Sequence, residues 1–357
     1  MNKAIRVGFL GTGSIARSHA YALDALKYYY IDAPKILKVV AASPNPDHRE
    51  SFANSFGFSE AVPPEEIWKR DDLDALYILG KNSTHTPQLL KAVNLPNLKR
   101  IYVEKPIGAS RQDLIELESL MNLPQEMIIM VGFQFLQKSP IRKALSQWKS
   151  GVFGKPIHFR AEYLHSSYLN YDYRQMRQNR FEPCPVDGAA VDLGSHSLSM
   201  LTAFLGDSLQ IRDAAISGNF PDIPDDADLC VTAIMEDQHS GAVGTFLASR
   251  VSAGTGDQFS LEIYGTNGAF LFNTKNPEIY ETYLPGEGWR RYETNSDYTP
   301  ASKFPSDYLP SGWLRALVHN HYLFVGGESG TDVIPDLAHG IQVQRLLQQI
   351  ADHIHGN

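Results

Sequence analysis

Apolar runs that alternate with helix-like segments dominate the first 135 residues of the chain. The apolar runs stand at 5–10, 36–42, 74–79, 100–103 and 127–132. The helix-like segments stand at 14–29, 47–56, 86–94 and 110–121. Short continuous apolar runs are typical of parallel strands buried on both faces, and parallel neighbours need a helical crossover between them. The sequence therefore predicts an α/β domain with a doubly wound parallel sheet over residues 1–135.

A second pattern begins near residue 136, where strands follow one another directly. After a helix that ends near Lys149, alternating runs stand at 157–163, 209–217, 228–236, 242–251, 259–264, 268–273 and 279–284. Alternation interrupted by short turns predicts antiparallel strands with one solvated face. We expect an α+β domain with a large, mostly antiparallel open sheet over 136–335. Apolar residues at helical spacing from Leu337 onward predict a closing helix over 336–357.

A glycine-rich turn follows the first predicted strand and opens the first helix. It reads Gly11-Thr12-Gly13-Ser14-Ile15-Ala16, a G-x-G-x-x-A pattern. Gly11 permits a tight turn, Gly13 lets the backbone approach a pyrophosphate, and Ala16 keeps the helix close to the strand. The N–H groups at the start of the helix attract phosphate oxygens. We predict that these residues bind a dinucleotide in a Rossmann domain, with a purely structural turn as the alternative.

The second predicted strand ends at the residue expected to face the adenine ribose. An acid there would bind the 2′-hydroxyl of NAD and repel the 2′-phosphate of NADP. This chain has Ser43, which can hydrogen-bond either cofactor. Arg49 is either a partner for a 2′-phosphate or part of a solvated helix face. NAD and NADP therefore both stay open as the cofactor.

The sequence Glu104-Lys105-Pro106 follows the fourth apolar run, at the carboxyl edge of the predicted parallel sheet. Open α/β sheets bind their ligands at this edge. A lysine there can hydrogen-bond a substrate hydroxyl and stabilise a developing alkoxide. A surface lysine paired with Glu104 fits the sequence equally well.

An aspartate and a histidine precede a run of leucines in the second domain. On a regular α-helix, Asp192 and His196 lie within about 40° of each other, whereas the leucines from Leu198 onward gather on the far side. An imidazole titrates near neutrality and can take the proton from an alcohol, and a nearby carboxylate can orient it or bind a neighbouring hydroxyl. The pair predicts an acid–base site. A helix-capping aspartate with a structural histidine is the alternative.

Taken together, these motifs resemble those of the Gfo/Idh/MocA oxidoreductases, a family of sugar and cyclitol dehydrogenases. Family members carry G-x-G-x-x-[AG] at the start, E-K-P after the fourth strand and G-G-x-x-x-D-x-G-x-H in the second domain. Here these motifs stand in the same order at 11–16, 104–106 and 187–196. The resemblance implies that hydride passes between a nicotinamide cofactor and a secondary alcohol or ketone of a sugar-like substrate.

The resemblance also implies roles for individual residues. Lys105 would lie beside the nicotinamide and the substrate, His196 would be the general acid or base, and Asp192 would assist substrate binding. The cofactor contacts predicted outside the glycine turn are Ser43, Asn82, His85, Glu104, Lys105 and Gln134. Gly-Lys stands before Asn82 where Thr-Pro is usual, and Gln134 begins Gln-Phe-Leu where an Asn-Tyr-Arg-like sequence is common, so pocket contacts differ there. The resemblance further implies a homodimer or homotetramer formed through the open sheet of the second domain.

Composition narrows the range of partners and locations. A net charge of −8 without a cluster of lysines and arginines argues against nucleic acid as a partner. No apolar stretch approaches the roughly 20 residues that span a bilayer, and no export signal is evident, so we expect no membrane partner. The two cysteines, Cys184 and Cys230, cannot build a disulfide framework, which favours a cytoplasmic location.

Two other functional classes compete with the enzyme. A dinucleotide sensor without turnover would keep the fold but would not need Lys105 and His196. A metal-dependent hydrolase would use Asp192, His196 and the pair His319/His321, but no ligand motif such as H-E-x-x-H is present, so we expect no metal site.

Overall fold

The computed structural model describes residues 4–122, 127–218, 220–294, 298, 312–327, 330 and 332–356. The strands, in chain order, are β1 Ile5–Leu10, β2 Ile36–Ala42, β3 Glu60–Val62, β4 Ala75–Ile78, β5 Arg100–Val103, β6 Ile128–Val131, β7 Pro156–His165, β8 Leu209–Ser217, β9 Cys230–Asp237, β10 Val243–Ser249, β11 Asp257–Gly265, β12 Gly268–Asn273, β13 Ile279–Leu284 and β14 Gly288–Glu293. The α-helices are α1 Ser14–Tyr29, α2 Pro46–Phe56, α3 His85–Ala92, α4 Arg111–Ser119, α5 Ser139–Lys149, α6 Tyr171–Met176, α7 Ser195–Leu205, α8 Gly312–Phe324 and α9 Leu337–His355.

The described residues divide into two units. Unit 1 takes its residues from 1–108, 115–137 and 295–338. Unit 2 takes its residues from 109–114, 138–294 and 339–357. Each unit contains one sheet, so each is described by itself.

The sheet of unit 1 has six parallel strands in the order β3-β2-β1-β4-β5-β6. Nearly every residue of β1, β4 and β5 is buried, as expected for parallel strands that are covered on both faces. The strand order reverses between β1 and β4, and open α/β sheets bind ligands at the carboxyl ends of the strands beside such a switch point. The predicted doubly wound parallel sheet is confirmed, with β3 as an additional edge strand.

Unit 1 also contains α8, which the sequence predicted to belong to the second domain. α8 packs against α1 and against the 3₁₀ turn Gln134–Gln137, and its buried residues Leu317, Val318 and Leu323 join the core around β1. The predicted domain over 136–335 placed these residues with the second sheet. The difference arises because α8 completes a core formed by residues much earlier in the chain, and local periodicity does not report such a contact.

The sheet of unit 2 has eight strands in the order β14-β13-β12-β11-β7-β10-β9-β8. Neighbouring strands are antiparallel except β7 and β10, which pair in parallel, so the prediction of a mostly antiparallel sheet is confirmed. Along β7, Phe159 and Ala161 are buried against helices, whereas His158 and Arg160 are exposed. α5 and α7 pack on the buried face of this sheet, and the described residues of its other face, such as His158 and Arg160, are exposed.

Candidate active site

The predicted cofactor residues of unit 1 follow five of its parallel strands. Gly11 follows β1, Ser43 follows β2, Asn82 comes after β4, Glu104 follows β5 and Gln134 comes after β6. Parallel strands all end at the same edge of a sheet. The fold therefore gathers these residues along the edge at which open α/β sheets bind ligands.

The two glycines of the first turn are needed for different reasons. Gly11 has a φ of +119°, and a Cβ there would lie 2.6 Å from the carbonyl group of Leu79, so the backbone itself requires glycine. Gly13 has an ordinary φ of −69°, and no described atom lies within 4 Å of a Cβ built on it. Gly13 also caps α1 without a side chain, which leaves the first N–H groups of the helix open to an anion. The turn therefore fits a pyrophosphate.

The turn after β2 presents a buried hydroxyl without a partner. Ser43 is 7% exposed, and its Oγ makes no hydrogen bond within the part of the chain that the structure describes. The Arg49 guanidinium donates to the carbonyl oxygens of Ser43 and Pro44, both at 3.2 Å. A buried hydroxyl that lacks a partner costs free energy until a ligand supplies one. Together with the open space at Gly13, this hydroxyl fits the ribose of a bound dinucleotide.

His85 joins two loops at the same edge of unit 1. Its Nδ1 lies 2.6 Å from the carbonyl oxygen of Pro106, and its Nε2 lies 3.2 Å from that of Gly80. Burial lowers the pKa of His85, although the hydrogen bond to Pro106 opposes that shift. Asn82, at the start of the 3₁₀ turn Asn82–Thr84, is half-buried next to this junction. His85 thus fixes the loop that carries Asn82 against the loop that follows Lys105.

The carboxylate of Glu104 is bound inside unit 1. Its Oε1 lies 2.9 Å from Nε2 of His19, and its Oε2 accepts the backbone N–H of Lys105 at 3.2 Å. Burial raises the pKa of Glu104, but the hydrogen bond and charge of His19 outweigh burial and lower it below the usual value. A Cβ at Gly132 would lie 2.7 Å from Oε1, so that glycine provides the space for the carboxylate. Glu104 therefore positions the backbone of the half-buried Lys105.

The Gln134 side chain is also used within unit 1. Its amide nitrogen donates to the carbonyl oxygen of Gly132 at 2.6 Å, and its amide oxygen accepts from Nε1 of Trp313 at 3.3 Å. Gln134 is 5% exposed. Its amide thus links the end of β6 to α8.

The segment that carries Asp192 and His196 in unit 2 is not a regular α-helix. Residues Ala190–Gly194 form a π-helical turn, and α7 begins only at Ser195. The angle of about 40° expected between the two side chains assumed α-helical geometry, so it does not apply across this turn. A Cβ at Gly194 would lie 2.4 Å from Cζ of Phe246, so the absence of a side chain allows the turn to pack directly on β10. π-turns occur frequently at functional sites.

Two arginines bind the Asp192 carboxylate. Arg180 lies 2.9 Å from Oδ1, and Arg250 lies 2.9 Å from Oδ2. Arg250 also bridges to Asp187 at 2.8 Å and stacks 4.7 Å above the ring centre of Tyr168. Although burial opposes it, the negative charge of Asp192 and its neighbours raises the pKa of Arg250 above its usual value. Asp192 is therefore held as an oriented carboxylate.

Neither arginine was predicted as a site residue from the sequence, because neither belongs to a recognisable motif. Arg180 ends the 3₁₀ turn Gln178–Arg180, and Arg250 directly follows β10. Arg250 is 1% exposed, and buried arginines nearly always pair with acids. An arginine at the end of an apolar strand was the available signal, but nothing local identifies its partner.

His196 is buried near the start of α7. It is 6% exposed, and its ring centre lies 6.0 Å from that of Tyr163 on β7. The Tyr163 hydroxyl donates to Asp257 at 2.7 Å. Burial raises the pKa of Tyr163 well above its usual value, so this hydroxyl stays protonated. His196 is therefore buried near a tyrosine whose hydroxyl is held by Asp257.

Two models of known protein families match this chain. A family model described as an oxidoreductase family with an NAD-binding Rossmann fold matches residues 5–162, and one described as the GFO/IDH/MocA C-terminal domain matches residues 141–271. Levoglucosan dehydrogenase of Pseudarthrobacter phenanthrenivorans is 23% identical over 98% of this chain and 95% of that protein. The inositol 2-dehydrogenase/D-chiro-inositol 3-dehydrogenase of Lacticaseibacillus casei is 26% identical over 46% of this chain and 47% of that protein.

A solved structure shares the fold of the whole chain. The structure of levoglucosan dehydrogenase in complex with NADH and levoglucosan aligns with a TM-score of 0.85 at 21% identity. The alignment covers 99% of this chain and 98% of that chain. At this identity the likeness shows a shared fold.

Proposed function

Because this chain belongs to the Gfo/Idh/MocA family of NAD-binding oxidoreductases, we propose that it interconverts a secondary alcohol and a ketone on a sugar, sugar derivative or cyclitol. Relatives that act on levoglucosan and inositol support this substrate class. The observation that carries the proposal is the open space at Gly13, the residue before α1. The first N–H groups of α1 have no side-chain cap there and can bind an anion.

When bound, the nicotinamide cofactor supplies or accepts the hydride at the reacting carbon. In the oxidative direction, His196 takes the proton of the substrate hydroxyl, and in the reductive direction it returns that proton. Lys105 donates a hydrogen bond to the same oxygen and stabilises its developing negative charge. Asp192, oriented by its two arginines, accepts a hydrogen bond from a neighbouring hydroxyl of the substrate. Convergence of Lys105 and His196 on one substrate carbon is the central element of this proposal.

Turnover assays over a panel of sugars and inositols, with NAD and NADP, test the function directly. Lys105→Met and His196→Asn should each lower kcat by about 10²–10⁴-fold and leave the Kd for NADH within a few-fold of the parent value. Lys99→Met is a matched control, since Lys99 is exposed at the opposite end of β5. His239→Asn controls for an exposed histidine in unit 2, in the turn after β9. Unchanged turnover in both active-site variants would refute catalysis and favour a dinucleotide sensor.

A double variant tests convergence. If Lys105 and His196 act on the same oxygen, Lys105→Met/His196→Asn should be scarcely slower than the worse single variant, because groups that act as a unit are not additive. Losses that multiply would contradict convergence on one reacting atom.

The proposal includes assembly through the open sheet face of unit 2. Ile234, Val243 and Trp289 are exposed on this sheet at 51%, 53% and 55%. Ile234 and Val243 lie on the neighbouring strands β9 and β10, and a second copy of the chain would cover this face as a homodimer or homotetramer. Light scattering of Val243→Glu/Ile234→Glu should then show a smaller species than the parent protein, and an unchanged mass would refute this interface.

A cytoplasmic location is part of the same proposal. Cys184 and Cys230 are both free thiols, as expected in a reducing compartment. No helix among the described residues has the length and apolar content needed to cross a bilayer.

A further inference from the structure

Three buried side chains form a hydrogen-bonded chain in unit 1 that ends at the residue before Lys105. His321 on α8 begins it, with Nδ1 3.0 Å from the carbonyl oxygen of Leu317. Its Nε2 lies 3.0 Å from Nδ1 of His19 on α1. Nε2 of His19 lies 2.9 Å from Oε1 of Glu104. Both histidines are fully buried, and Glu104 is 6% exposed. Water therefore does not replace these contacts.

The contacts fix the number of protons on the three side chains. The Leu317 carbonyl only accepts, so Nδ1 of His321 carries a hydrogen. The contact between the two histidines joins two nitrogens and needs one hydrogen, and the contact between His19 and Glu104 needs another. Two neutral imidazoles beside an ionised carboxylate carry only two hydrogens. The three contacts therefore require a third hydrogen, and its positive charge cancels that of the carboxylate, so His321, His19 and Glu104 together are neutral.

The position of the additional proton follows from the surroundings. Burial lowers the pKa of His321 well below its usual value, and neighbouring His19 lowers it further, which leaves His321 neutral with Nε2 as an acceptor. Both oxygens of the Glu104 carboxylate stand in hydrogen-bonding contacts, Oε1 with Nε2 of His19 and Oε2 with the backbone N–H of Lys105, and such contacts favour the ionised form. The additional proton therefore lies on His19, which donates to both neighbours.

We propose that His19 is a positioning residue whose imidazolium neutralises Glu104 and thereby fixes the backbone of Lys105. With its charge cancelled, Glu104 no longer draws the Lys105 ammonium away from the substrate oxygen. The proton count stands on the contacts alone, whereas the role toward Lys105 rests on the proposed function.

The other groups that surround His19 are consistent with the proposal. The rings of Tyr77 and Tyr102 lie 5.9 and 5.1 Å from the ring of His19. Burial raises the pKa of both tyrosines well above the usual value, so neither supplies a competing charge. Lys105 and His85 also lower the pKa of Glu104, and Tyr102 lies close enough for the charge of Glu104 to raise the pKa of its hydroxyl.

Nitrogen NMR of sedimented, ¹⁵N-histidine-labelled protein without cofactor tests the proton count. At pH 7.5, His19 should show two protonated ring nitrogens and His321 one, with His19→Gln providing the assignment. In Glu104→Gln, the amide N–H₂ can donate to Nε2 of His19, so His19 should lose one proton and keep every contact. The exposed His239 of unit 2 is the reference signal. A bare ring nitrogen on His19 in the parent protein would overturn the proposal, as would an unaltered His19 signal in Glu104→Gln.

Kinetics tests the positioning role. His19→Gln leaves the buried Glu104 charge without its cation, and kcat/KM for the sugar should fall by about a hundredfold while the Kd for NADH changes little. His19→Gln/Glu104→Gln removes that charge, so it should recover about tenfold of the loss. A double variant as slow as His19→Gln would refute the role, because a purely structural contact gives no such rescue. If no sugar is turned over, the proposed function fails, whereas the spectra still decide the proton count.

Discussion

Asp228→Asn should change how the stability of the protein depends on pH. Asp228 is 1% exposed in unit 2, and its Oδ2 accepts the N–H of Ala190 at 3.1 Å. Its Oδ1 has no hydrogen-bond partner among the residues that the structure describes, and it occupies the place where a Cβ on Gly188 would stand. Burial raises the pKa of Asp228 from its ordinary value of 3.8 to about 7. This carboxyl group thus holds the backbone at Ala190, the first residue of the π-helical turn that precedes His196.

The two pKa values give the magnitude and sign of the effect. Below about pH 4 the carboxyl group is protonated in both the folded and the unfolded protein, and its titration costs nothing. As the pH rises from 4 to 7, the unfolded chain loses the proton and the folded protein keeps it, so stability falls by about 1.4 kcal/mol per pH unit. Values of 3.8 and about 7 differ by 3.2, which corresponds to about 4.4 kcal/mol at most. Above pH 7 the loss is constant.

Urea unfolding of the parent protein and Asp228→Asn between pH 5 and pH 8 measures this effect. Asparagine still accepts from Ala190 and carries no charge, so the free energy of unfolding of the variant relative to the parent should rise by about 2.6 kcal/mol over this interval. Asp226→Asn, at an exposed aspartate on the same loop, is the matched control. Parallel pH curves for the parent and Asp228→Asn would refute the reasoning, since they would mean that Asp228 is already ionised in the folded protein at pH 5.

Three further predictions concern the two units separately. Gly13→Ala should keep the free energy of unfolding within about 0.5 kcal/mol but weaken NADH binding at least about tenfold in fluorescence titrations. Gly11→Ala should instead destabilise the fold by about 1–3 kcal/mol, because Gly11, unlike Gly13, has a positive φ. Equal stability losses in the two variants would contradict this distinction. Ser43→Asp should raise the KM for NADP at least about tenfold relative to that for NAD, since a carboxylate repels a 2′-phosphate; an unchanged ratio would place the ribose elsewhere. Arg250→Met should lower the free energy of unfolding by about 3–5 kcal/mol, because two carboxylates lose their buried cation; a loss below about 1 kcal/mol would mean that the ion pairs add little.

Local patterns along the chain were enough to predict the fold class and to point to the candidate ligand-binding motifs. Continuous apolar runs were enough to predict parallel strands, and alternating runs were enough to predict the open sheet. The glycine turn was evident because a strand, two glycines and a helix start are adjacent in the chain. Such features depend on residues a few positions apart, and backbone geometry couples those positions directly.

The pairs of distant side chains that share a proton or a charge became evident only from the packing of the folded chain. His19 and His321 stand 302 positions apart, and Arg250 stands 58 positions from Asp192. The membership of α8 in unit 1 and the π-helical turn at Asp192 likewise depend on packing against distant segments. Hydrogen bonds and ion pairs act over a few ångströms in space at any separation along the chain. A pattern read from neighbouring residues therefore carries no information about them.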